Sequence, residues 1–143
     1  MATCFMTSAG CRVIVDSSAL VAILRNEADA ADYTEAIESA DTCRISAATF
    51  LETAVVVDAS RDPVLSRRLD DLLSDASIAI EPVTEAQAHL ARQAYRDYGR
   101  GSGHPARLNF GDCFAYALAR ATGEPLLFKG GDFRHTDIAP AIA

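Results

Sequence analysis

Four short apolar runs, separated by stretches with helical periodicity, constrain this chain more than any other feature. They are residues 12–16 (RVIVD), 43–46 (CRIS), 78–81 (IAIE) and 126–128 (LLF). Runs this short and this apolar read as buried strands. The intervening stretches carry apolar residues at helical spacing. Tyr33, Ala36, Ile37 and Ala40 share one face of 29–40. Leu65, Leu69, Leu72, Leu73 and Ala76 share one face of the helix that follows Asp62-Pro63. Phe110, Cys113, Phe114, Ala117, Leu118 and Ala121 share one face of 109–122. Segment 47–59 also reads as a helix, although its Val55, Val56 and Val57 suit a strand as well. Strands alternating with helices imply an α/β fold around a mostly parallel sheet.

Boundary signals complete the outline. Ser17 and Ser18 can cap a helix over 19–25, and Asp62 with Pro63 begins another. Thr84 and Gln87 form a capping-box pattern ahead of a helix reaching Tyr98. Residues 99–107 (GRGSGHPAR) form a loop, and Gly123 stops the last helix. Residues 129–134 are expected to form a turn or short helix, and 136–139 a last edge strand. Neither a repeat nor a linker divides the chain, so residues 12–143 are expected to form one domain behind a loose arm at 1–11. That arm has no basic region followed by an apolar one, so it does not read as a secretory signal. No run of about 18 apolar residues suggests a membrane span.

Composition narrows the function classes. The net charge of −7 argues against a phosphate-binding surface, unless the acids gather to hold cations. The cysteines Cys4, Cys11, Cys43 and Cys113 lack zinc-type spacing. Cys113 and Cys43 read as buried thiols rather than parts of a disulfide framework, which makes a reducing cytoplasm the expectation.

Four acids occupy awkward places. Asp16 ends an apolar strand, and Glu52 lies inside AATFLETAVVV. Asp112 begins an apolar helix, and Asp132 follows a strand and two glycines. In open α/β sheets ligands bind beyond the carboxyl ends of the strands, where Asp16 and Asp132 would lie. Converging carboxylates repel, so such a group either takes up protons or recruits a hard divalent cation. Oxygen-only ligands favour Mg²⁺ or Mn²⁺ over zinc. Each acid also has a simpler role open to it: Asp16 as a helix cap, Asp112 as a first-turn charge, Asp132 as a turn residue. Arg25, Arg100, Arg107, Lys129 and Arg134 are candidate phosphate contacts, or solvated surface charges.

These acids and their neighbours resemble the PIN domain, and in particular the VapC toxins of bacterial VapBC toxin–antitoxin pairs. VIVDSSALVAIL (13–24) looks like the family's first strand and first metal-binding acid, here Asp16. SAATFLE (46–52) is similar to the motif ending in the metal-binding Glu, here Glu52. GHPARLNFGDCFAYALA (103–119) matches the third motif with Asp112, and LLFKGGDFRHTDI (126–138) the last, with Asp132. Gly131 departs from the pattern, since many relatives carry Asn there, and a glycine loosens the turn carrying Asp132.

The resemblance implies a PIN-like three-layer α/β/α fold and a Mg²⁺- or Mn²⁺-dependent endoribonuclease cutting structured RNA such as tRNA or rRNA. It further implies a homodimer, a cognate VapB-type antitoxin and a hetero-oligomer with it. In this reading Asp16, Glu52, Asp112 and Asp132 hold the metal and act in catalysis. Two alternatives stay open: a non-catalytic binding module of the same fold, and a metal-dependent nuclease or phosphatase acting on another substrate. Leu20, Ile23, Leu24, Tyr33 and Ile37 could line an antitoxin groove or belong to the core.

Overall fold

A computed structural model describes residues 10–142. Most of the expected arm at 1–11 lies outside these residues, but Cys11 is already buried in the core and its N–H donates to Asp41. The elements run β1 (Arg12–Val15), α1 (Ser17–Leu24), α2 (Ala30–Ser39), β2 (Thr42–Ser46), α3 (Ala47–Asp58), α4 (Pro63–Asp75), β3 (Ala79–Glu81), α5 (Glu85–Tyr98), α6 (Phe110–Thr122) and β4 (Leu126–Leu127). A single 3₁₀ turn covers Asp132–His135.

The four strands form one parallel sheet in the order β3-β2-β1-β4. Parallel strands need crossover connections, and the helices supply them. The chain builds outward from β1 through β2 to β3, then returns across the sheet to place β4 on the other side of β1. The order therefore reverses between β1 and β4, which makes their carboxyl ends the switch point where such sheets bind ligands. The core divides into two main clusters. One packs Ile14 and Leu126 against α5 and α6; the other packs Val13, Val15 and Ile45 against α1 and α2. Leu20, Tyr33 and Ile37 are buried in the second, Leu24 is buried in a smaller cluster with Val57 and Leu69, and Ile23 is half-buried, which settles most of that set as core.

Several expectations need correction. Ser17 and Ser18 do not cap α1; they lie inside it, and Asp16 is the cap, accepting from the N–H of Ser18. No strand forms over 136–139. Pairing beside β4 shrinks to one bridge between Leu126 and Pro140, because the segment before it folds on itself, with the Thr136 N–H on Phe133 and the Ile138 N–H on the Thr136 hydroxyl. β3 is an edge strand with a largely exposed side, not a buried one. Cys43 and Cys113 are free, buried thiols, whereas Cys11 is disulfide-bonded, a pairing that no spacing signals. No helix among the described residues is long and apolar enough to cross a membrane.

Candidate metal centre

Each candidate acid is delivered by a different piece of the fold. Asp16 stands where β1 turns into α1, and its N–H donates to Leu127 of β4, fixing it beside the switch point. Its side chain is only 2% exposed. Oδ2 accepts two hydrogen bonds from Ser18, from the N–H at 3.0 Å and from the hydroxyl at 2.5 Å. Oδ1 is buried with no hydrogen-bond partner. Burial raises the acid's pKa to about 6; the Ser18 bonds oppose that rise, and the charges of Asp112 and Glu52 add to it.

Glu52 comes from the second turn of α3, the helix that follows β2 directly. Its Oε1 accepts from the hydroxyl of Ser17 at 3.0 Å. Its other oxygen lies so close to Gly111 that any side chain there would collide with it. A residue without a Cβ is what lets α6 come this near to the Glu52 carboxylate.

Asp112 sits in the first turn of α6, where a capping box holds it. The side chain of Asn109 accepts from the N–H of Asp112 at 2.8 Å, and Asp112 Oδ2 accepts from the N–H of Asn109 at 3.0 Å. Its pKa is raised, first by burial. The Asn109 N–H works against the rise, Glu52 and Asp132 reinforce it, and Arg100 lowers it. Asp132 opens the 3₁₀ turn beyond β4 and is exposed.

Asp16, Glu52 and Asp112 therefore feel one another's charge, and the charge of Asp132 reaches Asp112. The side chains do not close into a ready ligand set: among the described residues, no three acids, imidazoles or thiols are grouped to hold an ion. The chemistry of the donors still fits a hard cation. All are carboxylate oxygens, and one is a buried oxygen that lacks any donor, a costly state in an apolar setting.

The candidate phosphate contacts separate clearly. Lys129 is engaged by Glu27 at 2.5 Å and Asp29 at 3.1 Å, just beyond α1. Arg134 lies over the Phe128 ring. Arg100 is exposed on the loop that a bridge between Gly99 and Leu108 closes, and its charge reaches Asp112. Arg25 and Arg107 are exposed as well. His104 is occupied within its loop, accepting the Ala106 N–H at Nδ1 and meeting the Tyr98 ring edge-on.

Sequence reasoning missed the Ser17–Glu52 bond as a definite contact, the close approach at Gly111 and the capping box of α6. The last was visible as Asn109 followed three residues later by an acid ahead of an apolar run.

The sequence matches the PIN domain over residues 13–139. It is 59% identical over 130 residues to Ribonuclease VapC28 of Mycobacterium tuberculosis, a match covering 91% of this chain and 98% of that protein. Ribonuclease VapC42 of the same organism is 54% identical over 129 residues, covering 90% and 98%. Among solved structures, the M. tuberculosis toxin VapC20, described as cleaving the sarcin-ricin loop, superposes with a TM-score of 0.71 at 19% identity, covering 92% of this chain and 99% of that one. VapBC2 from Rickettsia felis, solved with a DNA fragment from its promoter, gives a TM-score of 0.68 at 12% identity, covering 90% and 96%.

Proposed function

The chain belongs to the PIN-domain family, among its VapC members, and from that premise we propose that it is the toxin of a toxin–antitoxin pair, acting as a divalent-metal-dependent endoribonuclease. The observation that carries this reading is Asp16. A buried carboxylate with one undonated oxygen, beside Glu52 and Asp112, is an arrangement that a bound cation would relieve.

Asp16, Glu52 and Asp112 would hold Mg²⁺ or Mn²⁺, with Asp132 helping directly or through water. Such an ion neutralises charge on a phosphoryl oxygen and makes water a better nucleophile at neutral pH. The chain's own groups do the rest. Ser18 and Ser17 fix the orientation of Asp16 and Glu52. Glu52 or Asp132 accepts the proton of the attacking water and aligns it in line with the leaving 3′-oxygen. The products would be a 5′-phosphate and a 3′-hydroxyl. Arg100 suits the phosphate next to the scissile one better than Lys129, whose ammonium already serves two carboxylates.

The substrate class proposed is structured RNA such as tRNA or rRNA. The proposed partners are a VapB-type antitoxin and a second copy of the chain. The exposed apolar side chains support an assembly: Leu51 and Val55 on α3, and Phe110 and Tyr95 beside a cleft of about 350 Å³ between α5 and α6.

The test is cleavage of total cellular RNA by the purified protein in Mg²⁺ or Mn²⁺, with EDTA and Asp16→Asn as controls. Discrete fragments with 5′-phosphates, lost in both controls, are the expected result. A folded protein that binds RNA or the antitoxin and cuts nothing under these conditions would instead be a binding module.

A further inference from the structure

The half-buried hydroxyl of Ser18 makes two bonds of opposite sense. It donates to Asp16 Oδ2 at 2.5 Å and accepts the backbone N–H of Lys129 at 2.9 Å. One oxygen atom thus joins the end of β1 to the segment that leaves β4. The side chain of Lys129 reaches back the same way, to Glu27 and Asp29, so this segment is tied to the α1 region through both its backbone and its side chain.

Packing does little for the two glycines that follow. A side chain added at Gly130 or Gly131 would meet nothing within 4 Å, and Gly130 takes a positive φ of 97°. Two glycines in open space leave a turn with wide conformational freedom. Asp132 comes next, exposed. Asp132 is therefore held from two sides, by the anchor at Lys129 before the glycines and by Phe133, buried against Phe128, after it. The same Ser18 hydroxyl, together with its N–H, occupies Asp16 Oδ2 and leaves Oδ1 as the undonated oxygen.

We propose that Ser18 is a positioning residue that couples the turn bearing Asp132 to Asp16, so that the first and last acids of the site are placed as one unit. This deepens the metal-site reading above and rests on it. Without the hydroxyl, the segment at Lys129 loses its backbone tie to Asp16, and Asp16 Oδ2 keeps only the Ser18 N–H.

The experiment is Mn²⁺ binding by calorimetry to the full chain, in five forms: wild type, Ser18→Ala, Ser18→Thr, Asp132→Asn, and Ser18→Ala combined with Asp132→Asn. Ser18→Ala is expected to weaken binding about tenfold, the scale seen when a ligand's hydrogen-bond partner is removed. Ser18→Thr keeps the hydroxyl and is expected to stay within about threefold of wild type on the same scale. In the Asp132→Asn background, Ser18→Ala is expected to cost less than about twofold, because coupled residues are not additive. Should Ser18→Ala not fold, Ser18→Cys carries the same cycle. An equal loss in both backgrounds would overturn the proposal, since Ser18 would then act through Asp16 alone. An unchanged affinity in Ser18→Ala would overturn it too. Wild-type protein that binds no Mn²⁺ would remove the metal-site reading itself, an outcome the wild-type titration reports separately.

Discussion

Two buried acids sit at opposite ends of the sheet, and the molecule treats them differently. Glu124, at the amino end of β4, is 8% exposed, and Arg44 meets it at 2.6 Å with Arg12 at 3.8 Å. Asp16, at the carboxyl end of β1, is buried to a similar degree but has no cation against it, and its charged neighbours are Glu52 and Asp112. Each carboxylate keeps one oxygen without a hydrogen bond. Burying an ion is tolerable when an opposite charge accompanies it. At Glu124 the chain supplies that charge itself. At Asp16 it supplies one hydroxyl, one amide and more negative charge, an arrangement that suits the cation proposed above. The first acid is neutralised within the fold, and the second is not.

Removing the charge at Asp16 should separate the two roles most sharply. Asp16→Asn is expected to lower RNA cleavage by more than about 100-fold, the upper end of what losing only a ligand's hydrogen-bond partner costs. The same change should stabilise the metal-free protein at neutral pH by on the order of 2 kcal/mol, since an acid raised from 3.8 to about 6 is penalised when ionised. Fragment yields and thermal melts in EDTA measure the two effects, and a destabilised Asp16→Asn would break the contrast with Glu124.

Arg44→Ala makes the complementary cut. It leaves Glu124 buried with only the more distant Arg12, and should cost about 2 kcal/mol in urea unfolding. That is less than loss of a partner from a fully buried pair, because Arg44 is partly exposed and Arg12 remains. Mn²⁺ affinity should be unchanged.

Acidity should also distinguish the ends. Asp16 has its folded-state pKa raised, so its contribution to metal-free stability is complete below its unfolded value and is lost as pH rises through about 6. Metal binding runs the other way, because a ligand carboxylate must lose its proton first. Melting temperature in EDTA should therefore fall between about pH 4 and 6 on account of this group, while Mn²⁺ affinity climbs over the same window. The smallest expected effect on stability comes from Gly111→Ala, which gains helix propensity of up to about 1 kcal/mol and loses it again by pushing Glu52 off Ser17. Its melting point should stay near wild type while its Mn²⁺ affinity falls.

Much of this was readable in the residues alone. The alternation of short apolar runs with helical stretches outlined the elements, and of the four acids singled out in apolar surroundings the fold brings Asp16, Glu52 and Asp112 within reach of one another's charge. What stayed hidden depended on contacts between distant positions. The Ser18–Lys129 bond spans 111 residues and exists only because β4 pairs with β1. Helix α3 was legible as a helix but not in its orientation. Both of its sides carry uncharged residues, and the fold turns Thr49 and Thr53 inward while Leu51 stands 61% exposed. Periodicity cannot choose between two such faces. The strand expected at 136–139 was lost to local turns, the Thr136 N–H donating to Phe133 and the Ile138 N–H to the Thr136 hydroxyl.

The order of the strands carries one more consequence, for the chain as it is made. Asp16 emerges early in synthesis, but β4 and Asp132 come late, and β4 has to return across the finished part of the sheet to pair with β1. Contacts so far apart in sequence form slowly and only once the intervening chain is available. A partly synthesised molecule therefore carries most of the acids without the last strand or its turn. The competence to cut would arrive late in synthesis, as a built-in delay between a nuclease's beginning and its first opportunity to act on the RNA around it.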